Sequence, residues 1–202
     1  MPNPTHPHIR PDYAPARGIL QGGGVVVLPT DTVYGIVASA LIPETVERVF
    51  QLRQRDTHKA VIVLISNEGE LKRFSIPLDE QAGTFLRSVW PGRVSVVLPT
   101  TEPARWTHLH RGTDSIAFRI PADPALRAFL RRTGPLIAPS ANTAGEPAAT
   151  SIDTARKYFD DRVDLYIDGG TLESAPSTLV RWTPGGIEIL RQGAVQIDES
   201  LI

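Results

Sequence analysis

The sequence predicts one α/β domain, a twisted mixed sheet with helices packed on it. Three observations carry this. Short apolar runs alternate with segments of helical period. Several runs are apolar at every position, so both faces of the sheet need cover. The 202 residues fit a single domain, with no internal repeat or low-complexity linker to divide them.

The elements follow in order. Met1 to Tyr13 is rich in Pro and His and has no apolar h-region, so residues 1–13 read as a flexible arm and 14–202 as the domain. Val25 to Leu28 is a buried strand that ends at Pro29, and Tyr34 to Ala38 is the next. Pro43 to Arg53 carries Val46, Val49, Phe50 and Arg53 at i, i+3, i+4, i+7, with Pro43 near the start: an amphipathic helix. Ala60 to Ile65 reads as a strand, Asp79 to Val89 as a helix and Val94 to Leu98 as a strand. In Ser115 to Pro121, Ile116, Phe118 and Ile120 alternate with Ser115, Ala117 and Arg119, which puts Ser115 and Arg119 on one face. Asp123 caps a helix with Pro124 at its first position and Leu126, Phe129 and Leu130 inward. Leu136 to Ala138 is a short strand, and Ser151 to Asp160 a helix. Asp164 to Asp168, Ser177 to Trp182 and Ile187 to Leu190 are final strands, with Gly185-Gly186 as the last turn. The sum is about eight strands and four or five helices.

Composition removes several classes of function. With 41% hydrophobic and 21% charged residues the chain is of ordinary soluble type. No run approaches the ~18 apolar residues of a membrane span. Zero cysteines exclude disulfides, thiolate nucleophiles and cysteine zinc sites, and suit a cytoplasmic location. A net charge of -1 gives no general affinity for nucleic acid, so any bound anion must meet a local basic cluster. There is no phosphate-binding Gly-x-x-x-x-Gly-Lys loop, no Gly-x-Gly-x-x-Gly and no Gly-x-Ser-x-Gly. The five histidines lack metal spacing, so no protein metal site is expected.

The polar residues that stand out lie at strand ends and in loops, where functional groups concentrate. Pro29-Thr30-Asp31-Thr32-Val33-Tyr34-Gly35 is either a capped turn or a site loop. Arg53-Gln54-Arg55 with Lys59 is either a favourable cationic helix end or a polyphosphate clamp, since arginine can grip phosphate with paired hydrogen bonds. Trp90-Pro91-Gly92, alone, is a helix end and turn. Arg119 on a covered strand face needs a partner, a protein carboxylate or a ligand anion. Pro139-Ser140-Ala141-Asn142 is a polar turn, and Thr150-Ser151 starts a helix whose N-terminus favours anions. Ser177-Thr178 and Leu190-Arg191-Gln192-Gly193 close the set.

In combination and in this order, the segments resemble the YrdC/Sua5 family of threonylcarbamoyl-adenylate synthases, in its short bacterial form, over roughly residues 15 to 195. The resemblance implies a twisted, largely parallel sheet around a concave, positively lined cavity. It implies L-threonine, bicarbonate and ATP as substrates, Mg2+ as companion of the nucleotide, and the first step of threonylcarbamoyl-adenosine formation in tRNA. It places Thr32, Arg119, Ser140 and Ser177 around threonine, with Arg119 on its carboxylate. Arg53, Arg55, Lys59, Ser115, Asn142, Thr150 and Arg191 would line the nucleotide, and Tyr34 would sit near bicarbonate or carbamate. Catalysis would rest on Arg55, Lys59 and Tyr34 by positioning and charge neutralisation, because no general base or nucleophile is evident. The family's basic motif usually begins with Lys, where this chain has Arg53. Leu64 stands where some relatives place a polar residue near threonine.

Partners implied are the downstream tRNA-modifying transferase complex and a weak contact with tRNA or double-stranded RNA. RNA binding as the sole function is opposed by the net charge. Hydrogenase-maturation carbamoyltransferases share the fold but are longer and carry cysteine-rich zinc modules.

Overall fold

The computed structural model describes residues 10–54, 61–183 and 185–197. A nine-stranded sheet runs through them, with strands β1 (Val26–Pro29), β2 (Tyr34–Ser39), β3 (Ile62–Leu64), β4 (Val94–Pro99), β5 (Ser115–Arg119), β6 (Leu136–Ile137), β7 (Leu165–Tyr166), β8 (Thr178–Thr183) and β9 (Gly186–Arg191). The spatial order is β7-β1-β2-β6-β3-β5-β4-β8-β9. The sheet is mixed, as expected. Three of its eight pairs are parallel and five antiparallel, a smaller parallel share than expected. Short connections such as β1–β2 and β8–β9 return the chain beside itself, which gives antiparallel neighbours.

The helices are α1 (Ala16–Gln21), α2 (Pro43–Arg53), α3 (Glu80–Val89), α4 (Thr107–His110), α5 (Pro124–Thr133) and α6 (Ile152–Phe159). Helix α2 has the limits its apolar spacing predicts, and Gln54 ends it in the left-handed region at φ 49°. Asp79, Asp123 and Ser151 cap α3, α5 and α6 by accepting from Ala82, Ala125 and Thr154 amides. Helix α1 was not expected. It has six residues and no side-chain cap, so it leaves no local signal.

Both faces of the sheet are covered. On β1 and the residue before it, Val25 and Val27 join one core cluster while Val26 and Leu28 join the other. The larger cluster includes Phe50, Phe74, Phe118 and Phe159, and the smaller is closed by α1 and α5 through Leu20, Leu126 and Phe129. Each such side chain contributes roughly 1.5–3 kcal/mol by leaving water. Tyr13 belongs to this smaller core rather than to a loose arm. Its ring stacks on Phe129 at 5.3 Å, and its hydroxyl donates to the Pro29 carbonyl. No helix among the described residues is long and apolar enough to cross a membrane.

A basic cavity as candidate active site

A cavity of about 660 Å³ opens on one face of the sheet. Its floor follows from strand alternation. Ser115, Ala117 and Arg119 of β5 face it, while Ile116 and Phe118 enter the core. Val97 of β4 pairs with Ala117 on one side and Arg181 of β8 on the other. The loop after β1 supplies Thr30, Thr32 and Val33, and the segment after β6 supplies Pro139 and Ser140. Arg53 enters from the end of α2, and Ser177 and Arg191 from the β8–β9 side. Four arginines line the cavity, and no Asp or Glu does among the described residues.

Arg119 lies at the closed end, 3% exposed. Its Nη1 donates to Asp31 Oδ1 at 2.5 Å, and its Nη2 lies 3.5 Å from Thr32 Oγ1. Its Nε has no hydrogen-bond partner among the described residues. The partner that the sequence demands is therefore a protein carboxylate, and donors remain for a ligand. The second oxygen of Asp31 accepts from the Ala122 amide at 2.7 Å, which ties the loop to the lead-in of α5. Thr30 Oγ1 donates to the Val33 carbonyl at 2.7 Å and contacts Thr32 Oγ1 at 3.0 Å, so the loop presents Thr32 in one orientation.

Arg53 is buried. Its Nε donates to the Asn142 carbonyl, and its Nη2 to Asn142 Oδ1 at 3.2 Å and Ser140 Oγ at 3.3 Å. Asn142 Oδ1 also accepts from Ser140 at 2.6 Å, and its Nδ2 donates to the carbonyls of Thr143 and Glu146. Both ends of the amide are engaged, so Asn142 holds the turn that carries Ser140 and does not line the cavity.

Two further expected residues are not on the wall. The Tyr34 ring is fully buried, and its hydroxyl accepts from the Gly169 amide and donates toward the Gly170 carbonyl and Asp168. Burial first, and Asp168 after it, push the phenol up to about 12, so it stays protonated near neutrality. Thr150 is exposed, and its carbonyl accepts from the Leu172 amide. Arg55 and Lys59 lie outside the described residues.

On the β8 side of the wall Ser177 Oγ meets Ser95 Oγ at 2.9 Å, buried. Arg191 Nη2 donates to the Ser177 carbonyl at 2.8 Å, and burial lowers its pKa. Gly193 is required here. A Cβ at that position would meet the Pro176 carbonyl oxygen at 2.2 Å. Trp90-Pro91-Gly92 is a structural turn: Trp90 Nε1 donates to the Val94 carbonyl, and a Cβ at Gly92 would meet the Val89 oxygen at 2.3 Å.

Sequence reasoning missed Arg181 and Thr113 on the wall. Arg181 was within reach, because a period of two from Ser177 through Leu179 puts it on the same face. Thr113 belongs to a loop in which Arg111, Gly112 and Asp114 all have positive φ, 54°, 90° and 51°. Buried His110 holds that loop. Its Nδ1 accepts from the Gly112 and Asp114 amides at 3.0 and 3.2 Å, and its Nε2 lies 2.9 Å from the Pro103 carbonyl. No local pattern announces a histidine in that role.

Fold and cavity together define an α/β domain that presents arginines and small hydroxyl side chains to an anionic ligand. Residues 18–193 match the Sua5/YciO/YrdC family model, whose description reads "Telomere recombination", and the chain belongs to that family. It is 32% identical over 187 residues to the threonylcarbamoyl-AMP synthase of Bacillus subtilis, covering 88% of this chain and 54% of that protein. The protein of the same name from Pseudoalteromonas translucida is 31% identical, with 82% of this chain and 90% of that protein covered. The structure of Pyrococcus abyssi Sua5 complexed with L-threonine superposes with a TM-score of 0.80 at 32% identity, covering 88% of this chain and 53% of that one. The chain thus spans about half the length of the Bacillus and Pyrococcus proteins and most of the Pseudoalteromonas one.

Proposed function

We propose that the chain is a threonylcarbamoyl-AMP synthase, a nucleotidyltransferase that joins L-threonine, bicarbonate and the AMP part of ATP. One observation carries the reading: a cavity with four arginines and, among the described residues, no carboxylate on its wall gathers Thr32, Arg119, Ser140 and Ser177 in a member of this family. The names of the relatives and the threonine bound to the Pyrococcus protein support it.

In this reading the threonine carboxylate pairs with Arg119, and Thr32, Ser140 and Ser177 surround the rest of the amino acid. The amine nitrogen bonds to the carbon of bicarbonate, with loss of a proton and water, to give a carbamate. A carbamate oxygen then bonds to the α-phosphorus of ATP as the bond to the bridging oxygen breaks, and pyrophosphate leaves with that electron pair. Arg191, Ser115 and Arg53, with Arg55 and Lys59, face the anionic nucleotide. Their contribution is positioning and stabilisation of the charge on the transferring phosphoryl group. Tyr34, Asn142 and Thr150 act from behind the wall, if at all, through the segments they hold.

Among the described residues the wall offers no carboxylate cage for Mg2+. A divalent ion arriving with ATP would be held by phosphate oxygens and water. The product would pass, in the cytoplasm, to a transferase complex acting on tRNA. Pyrophosphate release from ATP and bicarbonate, with and without L-threonine and with the product identified by mass, tests the reading. Threonine-dependent release with a threonylcarbamoyl-AMP mass is expected. Absence of turnover, with salt-sensitive RNA binding instead, would overturn it.

A further inference from the structure

Arg181 is the cavity arginine that no motif of the chain accounts for. It projects from β8 on the face that carries Ser177 and Leu179, and its register partner on the inner side is Val97, which pairs in turn with Ala117. The backbone of Arg181 is thus level with Val97 and Ala117, whereas Arg119 lies two residues along β5. Across the hairpin its register partner is Glu188, whose Oε2 accepts from Arg181 Nη1 at 2.6 Å. Both side chains are about half exposed, 48% and 53%. Nε and Nη2 of Arg181 make no hydrogen bond among the described residues.

A cross-strand ion pair on a hairpin is usually only that, and an exposed one contributes little to stability. Two features separate this pair from the usual case. Its cation is on the wall of a cavity that has no lining carboxylate among the described residues, so the guanidinium adds to a positive field. Its anion is on β9 and does not line the cavity. The pair is thus asymmetric: the arginine is among the lining residues and the glutamate, on the same face one strand further out, is not. A guanidinium with one N–H on a carboxylate keeps four donors, enough to grip phosphate oxygens in paired bonds.

We infer that Arg181 is a further phosphate-binding residue of the cavity and that Glu188 restrains it in the free protein. The ligand class is a polyphosphate, whether the tail of ATP or free pyrophosphate. The inference rests on the nucleotide reading above and deepens it. When phosphate enters, Arg181 exchanges a screened contact with Glu188 for one with the ligand, so Glu188 competes with phosphate for the guanidinium. The two partners therefore act with opposite sign on affinity.

The test is calorimetric titration of the full chain with ATP and, separately, with pyrophosphate, both without threonine. Arg181→Ala should weaken binding of both by ~3–10-fold, the range of a partly screened charge contact. Glu188→Gln keeps length and hydrogen bonding but removes the charge, and should tighten both by ~2–3-fold. In the double variant the gain from Glu188→Gln should vanish, because it acts only through Arg181. Thermal unfolding of each variant accompanies the titration to show that it is folded. A pair that serves only the hairpin would lower the melting temperature in both single variants and leave affinity unchanged, which overturns the inference. A gain from Glu188→Gln that survives in the Arg181→Ala background would overturn the restraint by Glu188. Wild-type protein that binds neither compound would overturn the nucleotide reading itself.

Discussion

The two ends of the cavity each hold an arginine on a carboxylate at nearly the same distance, 2.5 Å for Arg119–Asp31 and 2.6 Å for Arg181–Glu188. Their surroundings differ. The inner side chains are 4% and 5% exposed, the outer 48% and 53%. Distance therefore does not rank them; solvent does. In a buried site the attraction is only weakly screened, but so is the penalty of an orphaned charge, and removing one partner costs about 3–5 kcal/mol. At the rim, water and salt reduce the same contact to about 0–1 kcal/mol. The inner pair fixes a guanidinium in place, and the outer pair leaves one able to change partners.

The largest expected effect breaks the comparison if it fails. Asp31→Ala should cost about 3–5 kcal/mol of stability, read as a lower urea midpoint, and should abolish threonine binding by releasing Arg119. Glu188→Ala should cost no more than about 1 kcal/mol. Equal costs at the two ends would show that burial does not separate them. Asp31→Asn, whose single amide oxygen can accept from Arg119 or from the Ala122 amide but not replace both carboxylate oxygens, should fall between.

His110 extends the contrast to a side chain that holds backbone amides. His110→Leu removes the acceptor of the Gly112 and Asp114 amides, part-buried bonds worth about 0.5–1.5 kcal/mol each. It should also raise the KM for ATP more than that for threonine, because Thr113 and Ser115 flank the loop's end of the cavity. A parallel rise in both would assign His110 to general stability alone. Tyr34→Phe should be milder, about 1–2 kcal/mol, with turnover retained, since the hydroxyl braces the 168–170 turn. A folded Tyr34→Phe protein without turnover would return the phenol to the chemistry.

How much of this was legible in the sequence follows the range of each interaction. Helix α2 and the alternation of β5 depend on neighbours three or four, or two, residues apart, and both could be read. So could the inward face of Arg119. Its partner could not, because Asp31 is 88 positions away and only the sheet brings them together. Asn142 and Tyr34 are off the cavity wall. Their residue types suit a ligand, but other contacts engage them: Asn142 the adjacent 143–146 turn and the side chain of Arg53, Tyr34 the distant backbone of 169–170. Arg181 was legible in principle, since period two from Ser177 reaches it. A lone arginine in an exposed strand simply gives no cue that a cavity lies on its side.

His108 isolates burial from pairing and gives the smallest expected effect. Its Nε2 lies 3.1 Å from the Ala40 carbonyl, half-buried, and no carboxylate pairs with it. Burial is the main cause that lowers its pKa, Arg111 and His110 adding to it, while the Ala40 bond and Glu44 oppose. The folded value thus lies below the unfolded one, near 6.5. As pH falls through that value the unfolded chain takes up a proton that the folded chain refuses, so this contribution is complete above it and declines below. Asp164, whose pKa is lowered chiefly by Arg48, loses its own contribution only in the more acid carboxylate range, so the two separate. Urea unfolding at pH 8 and pH 5.5 should show a larger loss for the wild type than for His108→Gln. Parallel losses would mean that half-burial without a countercharge leaves the imidazole as free to ionise as in water, and that the paired charge, rather than exclusion of solvent, makes the inner end of the cavity rigid.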